Sequence, residues 1–239
     1  MPPPKTPEQL AEEMTILYQD EHVAVVNKPS SMLVHRKWDR DRIVAMTALR
    51  DLLDTHIYPV HRLDRPTSGA LIFALNVEAA RSLSHSFENR LVGKRYLALV
   101  RGITPDSGTI DYPIHNQPRR KGPRVPAVTD FERLDTFERF SLVEARPKTG
   151  RLHQIRRHLR HITHPLIGDI SYGTGDLNRR FRADFGLYRL ALHALEITVP
   201  HPVTGESLKV AATLPSDLAE PLQKMGIKIP EPSGDQEDS

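Results

Sequence analysis

His61-Arg62-Leu63-Asp64-Arg65-Pro66-Thr67-Ser68-Gly69-Ala70-Leu71-Ile72-Phe73-Ala74-Leu75 joins a charged segment directly to an unbroken apolar run. The run from Ala70 to Leu75 suits a short strand buried on both faces in the middle of a sheet. The polar half then sits at the mouth of that strand. Arg65 precedes a proline and is pushed out of the helical region, which holds Asp64 on an extended or turning loop. Arginines nearby would favour the ionised carboxylate and keep Asp64 available as a nucleophile. The same aspartate could equally do no more than accept turn hydrogen bonds and pair with an arginine.

Outward from this stretch, strands recur with a few helices between them. Val23 to Val26 reads as a short buried strand ended by the turn-rich Asn27-Lys28-Pro29-Ser30-Ser31. Residues 41–53 look helical, with Ala45, Leu49 and Leu52/Leu53 on one face and Asp41 as N-cap. Asn76 can cap a helix whose Ala79, Leu83, Phe87 and Leu91 form one stripe. Lys94 to Arg101 alternates as a strand, Tyr96, Ala98 and Val100 facing one way and Leu97 and Leu99 the other. Ala127 to Leu134, Phe140 to Ala145 and Leu190 to Val199 are strand-like, and Arg151 to Ile162 is helical. Without regular βαβ alternation, this pattern predicts α+β with a mixed or antiparallel sheet. Gly173-Thr174-Gly175 has no strand before it and reads as a turn.

The 239 residues suffice for one large domain or two small lobes, and 38% hydrophobic with 26% charged residues is the balance of a globular chain. The absence of cysteine excludes disulfide scaffolds, Cys-ligated zinc, iron-sulfur clusters and thiol nucleophiles. No apolar run approaches the ~20 residues of a membrane span, and the proline-rich start lacks a signal sequence, so a cytoplasmic location is expected. Formal charge is +3, but residues 1–13 carry one Lys against three Glu and residues 231–239 carry four acids. The body between them is therefore far more basic than the total suggests, which favours a polyanionic partner. Residues 1–13 are expected to be a flexible lead, 14–228 the folded domain and 229–239 a disordered acidic tail. Residues 112–125 hold four Lys/Arg and no acid, a basic loop that is either a solvated insertion or an RNA contact.

Residues 146–161 form a second dense segment, with six Lys/Arg and no acid. On a helix Leu152, Ile155, Leu159 and Ile162 make the core stripe, Arg156 lies on its shoulder, and Gln154, Arg157 and His161 point further out. A partly buried Arg156 requires an anion. Arg157 and Arg160 are better placed for phosphates. Histidines 153, 158, 161 and 164 with Asp169 invite a metal reading, which the adjacent cations oppose. P-loop, nucleophile-elbow, zincin and dinucleotide fingerprints are all absent. Tyr96, set among Lys94 and Arg95, can be a core residue or a platform for a base.

Taken together, Asn27-Lys28-Pro29, the whole His61 to Gly69 segment, Lys94-Arg95-Tyr96, Gly150-Arg151 with His153-Gln154-Ile155-Arg156, His164 to Asp169 and Leu192-His193-Ala194 resemble the RluA superfamily of pseudouridine synthases. The resemblance covers most of residues 16–212. It implies the pseudouridine synthase catalytic fold, a largely antiparallel mixed sheet with flanking helices around a basic cleft, here without an S4-type RNA-binding domain. It also implies catalysis by Asp64, Tyr96 and Arg156 without metal or cofactor, and RNA contacts by Lys28, Arg62, Thr67, Lys94, Arg95, Arg151, Gln154, Arg157 and Arg160. Arg62 would enter the stack vacated by a flipped base or hold the turned-out phosphate. Leu33-Val34-His35-Arg36, Arg65-Pro66, Lys121-Gly122-Pro123 and Phe185-Gly186-Leu187 resemble the branch acting on tRNA at uridine 65 of the T-stem. Ser31 departs from the family's usual glycine, and Trp38 precedes a shortened Asp39-Arg40-Asp41. The partner expected is therefore tRNA, bound by a monomer. The rivals are an rRNA synthase of the same superfamily, a non-catalytic RNA binder and a metal-dependent hydrolase.

Overall fold

The computed structural model describes residues 3, 5–35, 43–115 and 122–230. The Ala70 to Leu75 run is the heart of β4 (Ser68–Ala74), every residue of which is buried. On one side β4 pairs antiparallel with β2 (Val23–Lys28), itself flanked by β1 (Thr15–Gln19), while its far end takes β3 (Tyr58–Pro59) on the opposite edge. On the other side it runs parallel to β11 (Leu192–Pro200) through only two residue pairs, Ser68 with His193 and Gly69 with Ala194. Beyond that point β12 (Ser207–Ala211) takes over the same edge of β11. The sheet continues through β5 (Gly93–Arg101), β10 (Phe140–Pro147), β9 (Val128–Phe137) and β6 (Ser107–Asp111), all antiparallel. This is the mixed, largely antiparallel α+β architecture that the sequence predicts.

Helices cover both faces of the sheet. One face of its first half carries α1 (Pro7–Glu13) and α2 (Ala45–Leu53), whose Leu10, Ala45 and Leu49 pack with Leu63, Leu71 and Phe73. The opposite face carries α3 (Val77–Glu88), where Ala79 and Leu83 meet Val25, Ile72 and Ile197. In the second half, α4 (Gln154–His161) lays Ile155 and Leu159 on Ala98, Val100 and Val143. The reverse face holds α5 (Gly175–Phe185) and α6 (Ser216–Lys224) against Leu97, Leu99 and Leu142. The two faces expected of β5 are thus those observed.

Several elements differ from the sequence expectation. Residues 7–13 form α1 instead of a frayed lead, because Thr6 and Gln9 close a reciprocal cap and Leu10 is buried. The second helix starts at Ala45 with Val44 at the cap, and the expected cap Asp41 lies outside the described residues. The third ends at Glu88, leaving Leu91 off the apolar stripe and exposed. Gly173 to Gly175 is a bend that feeds straight into α5, which the sequence reading lacks, as it lacks α6. In the basic loop, β7 (Ile114–His115) and β8 (Arg124–Val125) pair as a small ribbon; residues 116–121 and the acidic tail from 231 onward lie outside the described residues.

Gly69 is where the two halves of the sheet touch. Its φ is +115°, and a Cβ there would land on the carbonyl oxygen of Ala194 and 2.6 Å from its nitrogen, both backbone atoms of the neighbouring strand. Gly69→Ala combines a disfavoured backbone with a clash that no rotamer relieves. We expect it to cost at least about 2 kcal/mol, read as a lower urea midpoint at unchanged m-value; a midpoint equal to wild type would refute the tight junction.

Candidate active site

Asp64 occupies a turn immediately before β4, closed by a hydrogen bond from the Thr67 amide to the Asp64 carbonyl at 3.0 Å. The turn is fastened from behind. Ser30 Oγ donates to the Pro66 carbonyl at 2.9 Å, and Arg65 Nε donates to the Ser31 carbonyl at 2.9 Å. Ser31 has φ +70°, left-handed backbone that explains why a glycine is the usual residue at this position. The Asp64 carboxylate reaches α4, where Arg156 Nη1 donates to its Oδ2 at 3.1 Å and His153 Nε2 stands 3.8 Å from Oδ1.

Arg156 does not serve Asp64 alone. Its Nε and Nη2 form a two-pronged contact with Asp169, at 2.7 and 2.9 Å, and its guanidinium lies over the Tyr172 ring at 5.1 Å. Asp169 also accepts the Ser171 and Tyr172 amides at 2.8 and 3.0 Å, and with Arg156 these hold its pKa below the usual carboxylate value despite burial. The Arg156 and Asp169 side chains are 5% and 0% exposed, so this is a buried ion pair with a partly open third member at Asp64. His153, left-handed at the start of α4, hydrogen-bonds Tyr172 Oη through Nδ1 at 3.0 Å, and burial lowers its pKa against the pull of Asp64. The buried anion that the sequence demanded for Arg156 is therefore chiefly Asp169, which sequence reasoning considered only as a metal ligand. The Asp-x-Ser-Tyr order, an aspartate capping its own following amides, is the signal that could have found it.

Tyr96 lies partly buried on β5, two strands from Gly69 in the row Gly69–Ala194–Tyr96–Ala145. Burial first, and the Asp64 charge second, raise its phenol above the ordinary value, so the hydroxyl stays protonated at neutral pH. Arg62, Arg151 and Arg160 are exposed around the site. Lys94 is partly buried, and its charge helps depress His61.

Four of the residues expected to contact RNA are buried or engaged by protein groups. Lys28 is fully buried, its Nζ on the carbonyls of Pro29, Met32 and Arg65, and burial lowers its pKa well below normal. Arg95 is on the opposite face of β5 from Tyr96, bridging Glu144 at 2.7 Å and Glu196 at 3.0 Å. Gln154 folds inward, accepting from Thr149 and the Arg151 amide and donating to Val128 and Thr129. Thr67 is buried within the turn. Arg157 is only partly outward, one guanidinium nitrogen donating to the His115 carbonyl at 2.7 Å, which ties the basic ribbon to α4.

The histidines find protein partners. His158 is buried between Thr129 and the Tyr112 carbonyl, His161 stacks on Tyr112 with 3.5 Å between centroids, and His164 bonds the Arg101 carbonyl. Among the described residues no group of three or more His, Asp or Glu is placed to hold a metal, and no helix is long and apolar enough to cross a membrane.

The structure thus brings together the three residues expected to carry the chemistry: Arg156 bonds the Asp64 carboxylate, and the Asp64 charge acts on the Tyr96 phenol. Residues 22–161 match the RNA pseudouridylate synthase family, and the chain belongs to that family. Among its relatives, the tRNA pseudouridine synthase C of Haemophilus ducreyi is 43% identical over 84% of this chain and 91% of its own length. That of Pectobacterium carotovorum is 45% identical over 83% of this chain, which spans 58% of that relative's length. The solved structure of human RNA Pseudouridylate Synthase Domain Containing 4, 25% identical, superposes with a TM-score of 0.78 over 94% of this chain and 97% of that one.

Behind the turn, Arg189 Nη2 donates to Ser68 Oγ at 2.6 Å, Ser68 Oγ meets His193 Nδ1 at 2.7 Å, and His193 Nε2 donates to the Ala212 carbonyl at 3.1 Å. Burial lowers the His193 pKa to about 4 and that of His61 to about 3. Their folded values lie below the unfolded ~6.5, so the unfolded chain binds protons first as pH falls. Their stabilisation is complete above about pH 6.5 and drains away down to pH 4 and below, a loss on the order of several kcal/mol. Urea midpoints from pH 7.5 to 4.5 should fall accordingly, with a shallower slope in His193→Gln; a flat wild-type profile contradicts the burial of neutral histidines.

Proposed function

We propose that this chain isomerises uridine to pseudouridine in tRNA, at uridine 65 of the T-stem, with Asp64 as the essential carboxylate. The observation that carries the reading is the Asp64 carboxylate, half-open to the cleft and oriented by an arginine that is itself locked by Asp169. The tRNA substrate is supported by the relatives named above and by the exposed cations around the cleft.

The reaction breaks the bond from N1 of uracil to C1' and makes one from C5 to C1'; C5 loses a proton and N1 gains one. Nothing is oxidised or reduced, so the balance asks for no redox cofactor. Asp64 either attacks C1' or removes the 2' proton, and its position suits both. Arg156 orients Asp64 without leaving it mobile, because two of its three nitrogens are committed to Asp169. Tyr96 contributes its ring as a stacking surface and its hydroxyl as a donor; a phenol with a raised pKa is a poor base at neutral pH. A base in a stem must first leave the stack, and exposed Arg62 is the side chain suited to the gap it leaves.

Asp64→Asn should retain folding and tRNA affinity while abolishing turnover, since the amide keeps the shape and loses the nucleophile. Site-resolved pseudouridine mapping on total RNA, with and without the wild-type protein, checks both the substrate and the position. Turnover by Asp64→Asn near the wild-type rate would sink the mechanism, and a mark confined to rRNA would sink the tRNA assignment.

Two arginines on α4 separate orientation from binding. Arg156→Lys keeps a charge but loses the fork that serves two carboxylates, so single-turnover rate should fall at least tenfold with affinity changing little. Arg160→Ala, at an exposed position, should weaken tRNA binding and reduce the salt slope by about one with the saturated rate intact. The reverse pattern would overturn the assignment of both residues.

A further inference from the structure

Beside Arg156 lies a pocket of about 410 Å³ that the proposed chemistry does not use. We propose that it is a second nucleotide subsite, taking the base and phosphate of an RNA residue that flanks the target uridine. This rests on the reading of the protein as an RNA pseudouridine synthase and extends it to the recognition of a neighbouring position.

Charge is the first argument. Four guanidiniums line the pocket, from Arg65, Arg156, Arg182 and Arg189, against the single carboxylate of Asp169. Arg156 is engaged by Asp64 and Asp169, and Arg189 by Asp217 at 2.8 Å, so the charge of these two is balanced within the floor. Arg65, exposed and anchored through Nε to Ser31, and the partly buried Arg182 add two more guanidiniums to the lining, a group that pairs well with phosphate. The volume falls within the roughly 300–1,000 Å³ typical of small-ligand sites.

The lining's apolar members are the second argument. Ile170 is 85% exposed and Tyr188 44% exposed, both on this pocket. Ile170 does not sit on a slack loop. The turn that presents it is braced by Asp169 accepting two amides, by the Gly173 amide on the Asp169 carbonyl, and by Asn178 bonding both the Gly168 amide and the Asp169 carbonyl. A rigid turn that holds an isoleucine in water is built to meet an apolar surface, and a nucleobase face offers one. Tyr188 supplies the stacking ring. A protein partner would meet the same rim, but the density of guanidinium favours RNA.

Proximity to Asp64 is the third argument. Arg65 is the next residue along the chain, and Arg156 lines this pocket while touching the Asp64 carboxylate. A nucleotide seated here is therefore a backbone neighbour of one whose C1' faces Asp64.

The test is a binding cycle in the Asp64→Asn background, using T-stem hairpins in which each nucleotide flanking the target uridine is made abasic in turn. Tyr188→Ala should weaken binding of the intact hairpin about 5- to 50-fold, with Tyr188→Phe restoring it and Ile170→Ser and Arg182→Ala weakening it too. At one flanking position, removal of the base should cost the Tyr188 protein the same factor and cost Tyr188→Ala nothing further. Additive losses at every position would overturn the subsite. So would unchanged RNA binding by Tyr188→Ala and Arg182→Ala, the outcome expected of a protein-docking face. Failure of the wild-type chain to make pseudouridine strikes the earlier reading, whereas the cycle reads the subsite through binding alone.

Discussion

The contact between Gly69 and Ala194 is the constraint from which the site follows. Two ladders meet there through two parallel residue pairs, and the backbones approach so closely that only a glycine fits. Ala194 pairs with Gly69 on one side and with Tyr96 on the other, so the row of residues across the sheet is fixed at this point. At about 4.8 Å per strand, Tyr96 is held roughly 10 Å from the start of β4. The turn that precedes β4 carries Asp64 back over that gap. The helix that lies on the Tyr96 face of the sheet then brings Arg156 up to meet it. Spacing between the acid and the ring thus depends on strand register, which places Tyr96, and on the hydrogen bonds that fasten the turn of Asp64.

Around this frame the protein buries charge, at a cost that has to be offset locally. Arg156 and Asp169 neutralise each other, and Arg189 divides itself among Asp217, Ser68 and two carbonyls. Lys28 is met by carbonyl dipoles from three residues that belong to two different turns. By drawing the Pro29 to Met32 segment and Arg65 toward one point, it joins the loop after β2 to the loop carrying Asp64. Lys28, Arg156, Asp169 and Arg189 are all buried. They define where the turn can be.

What was legible in the sequence followed from local chemistry. A both-sides-buried strand needs an unbroken apolar run, and Ala70 to Leu75 supplied it; alternation on β5 separated its two faces correctly. Resemblance to the RluA superfamily assigns Asp64 and Arg156 to one site, and the two side chains are in contact. What was missed depends on contacts far apart in the chain. Lys28, Arg95 and Gln154 are an RNA-binding set by resemblance, yet each is taken up by a partner that only the fold supplies, such as Glu196, which lies 101 residues from Arg95. α5 has no apolar stripe to mark it, because five of its eleven residues, GDLNRRFRADF, are charged and only Asn178 and Phe181 are buried. The N-terminal helix was hidden by its prolines, one of which stands where a first helical turn accepts it.

The three-member chain Asp64–Arg156–Asp169 places two carboxyl groups around one guanidinium at the bottom of a basic bowl. Field direction therefore reverses with depth: the rim attracts phosphate, and the floor repels it. A polynucleotide entering such a bowl is sorted by polarity along its own cross-section, with the backbone kept at the lip and an uncharged heterocycle and sugar admitted below. Such a gradient favours a nucleotide that enters base-first, its phosphate left at the lip.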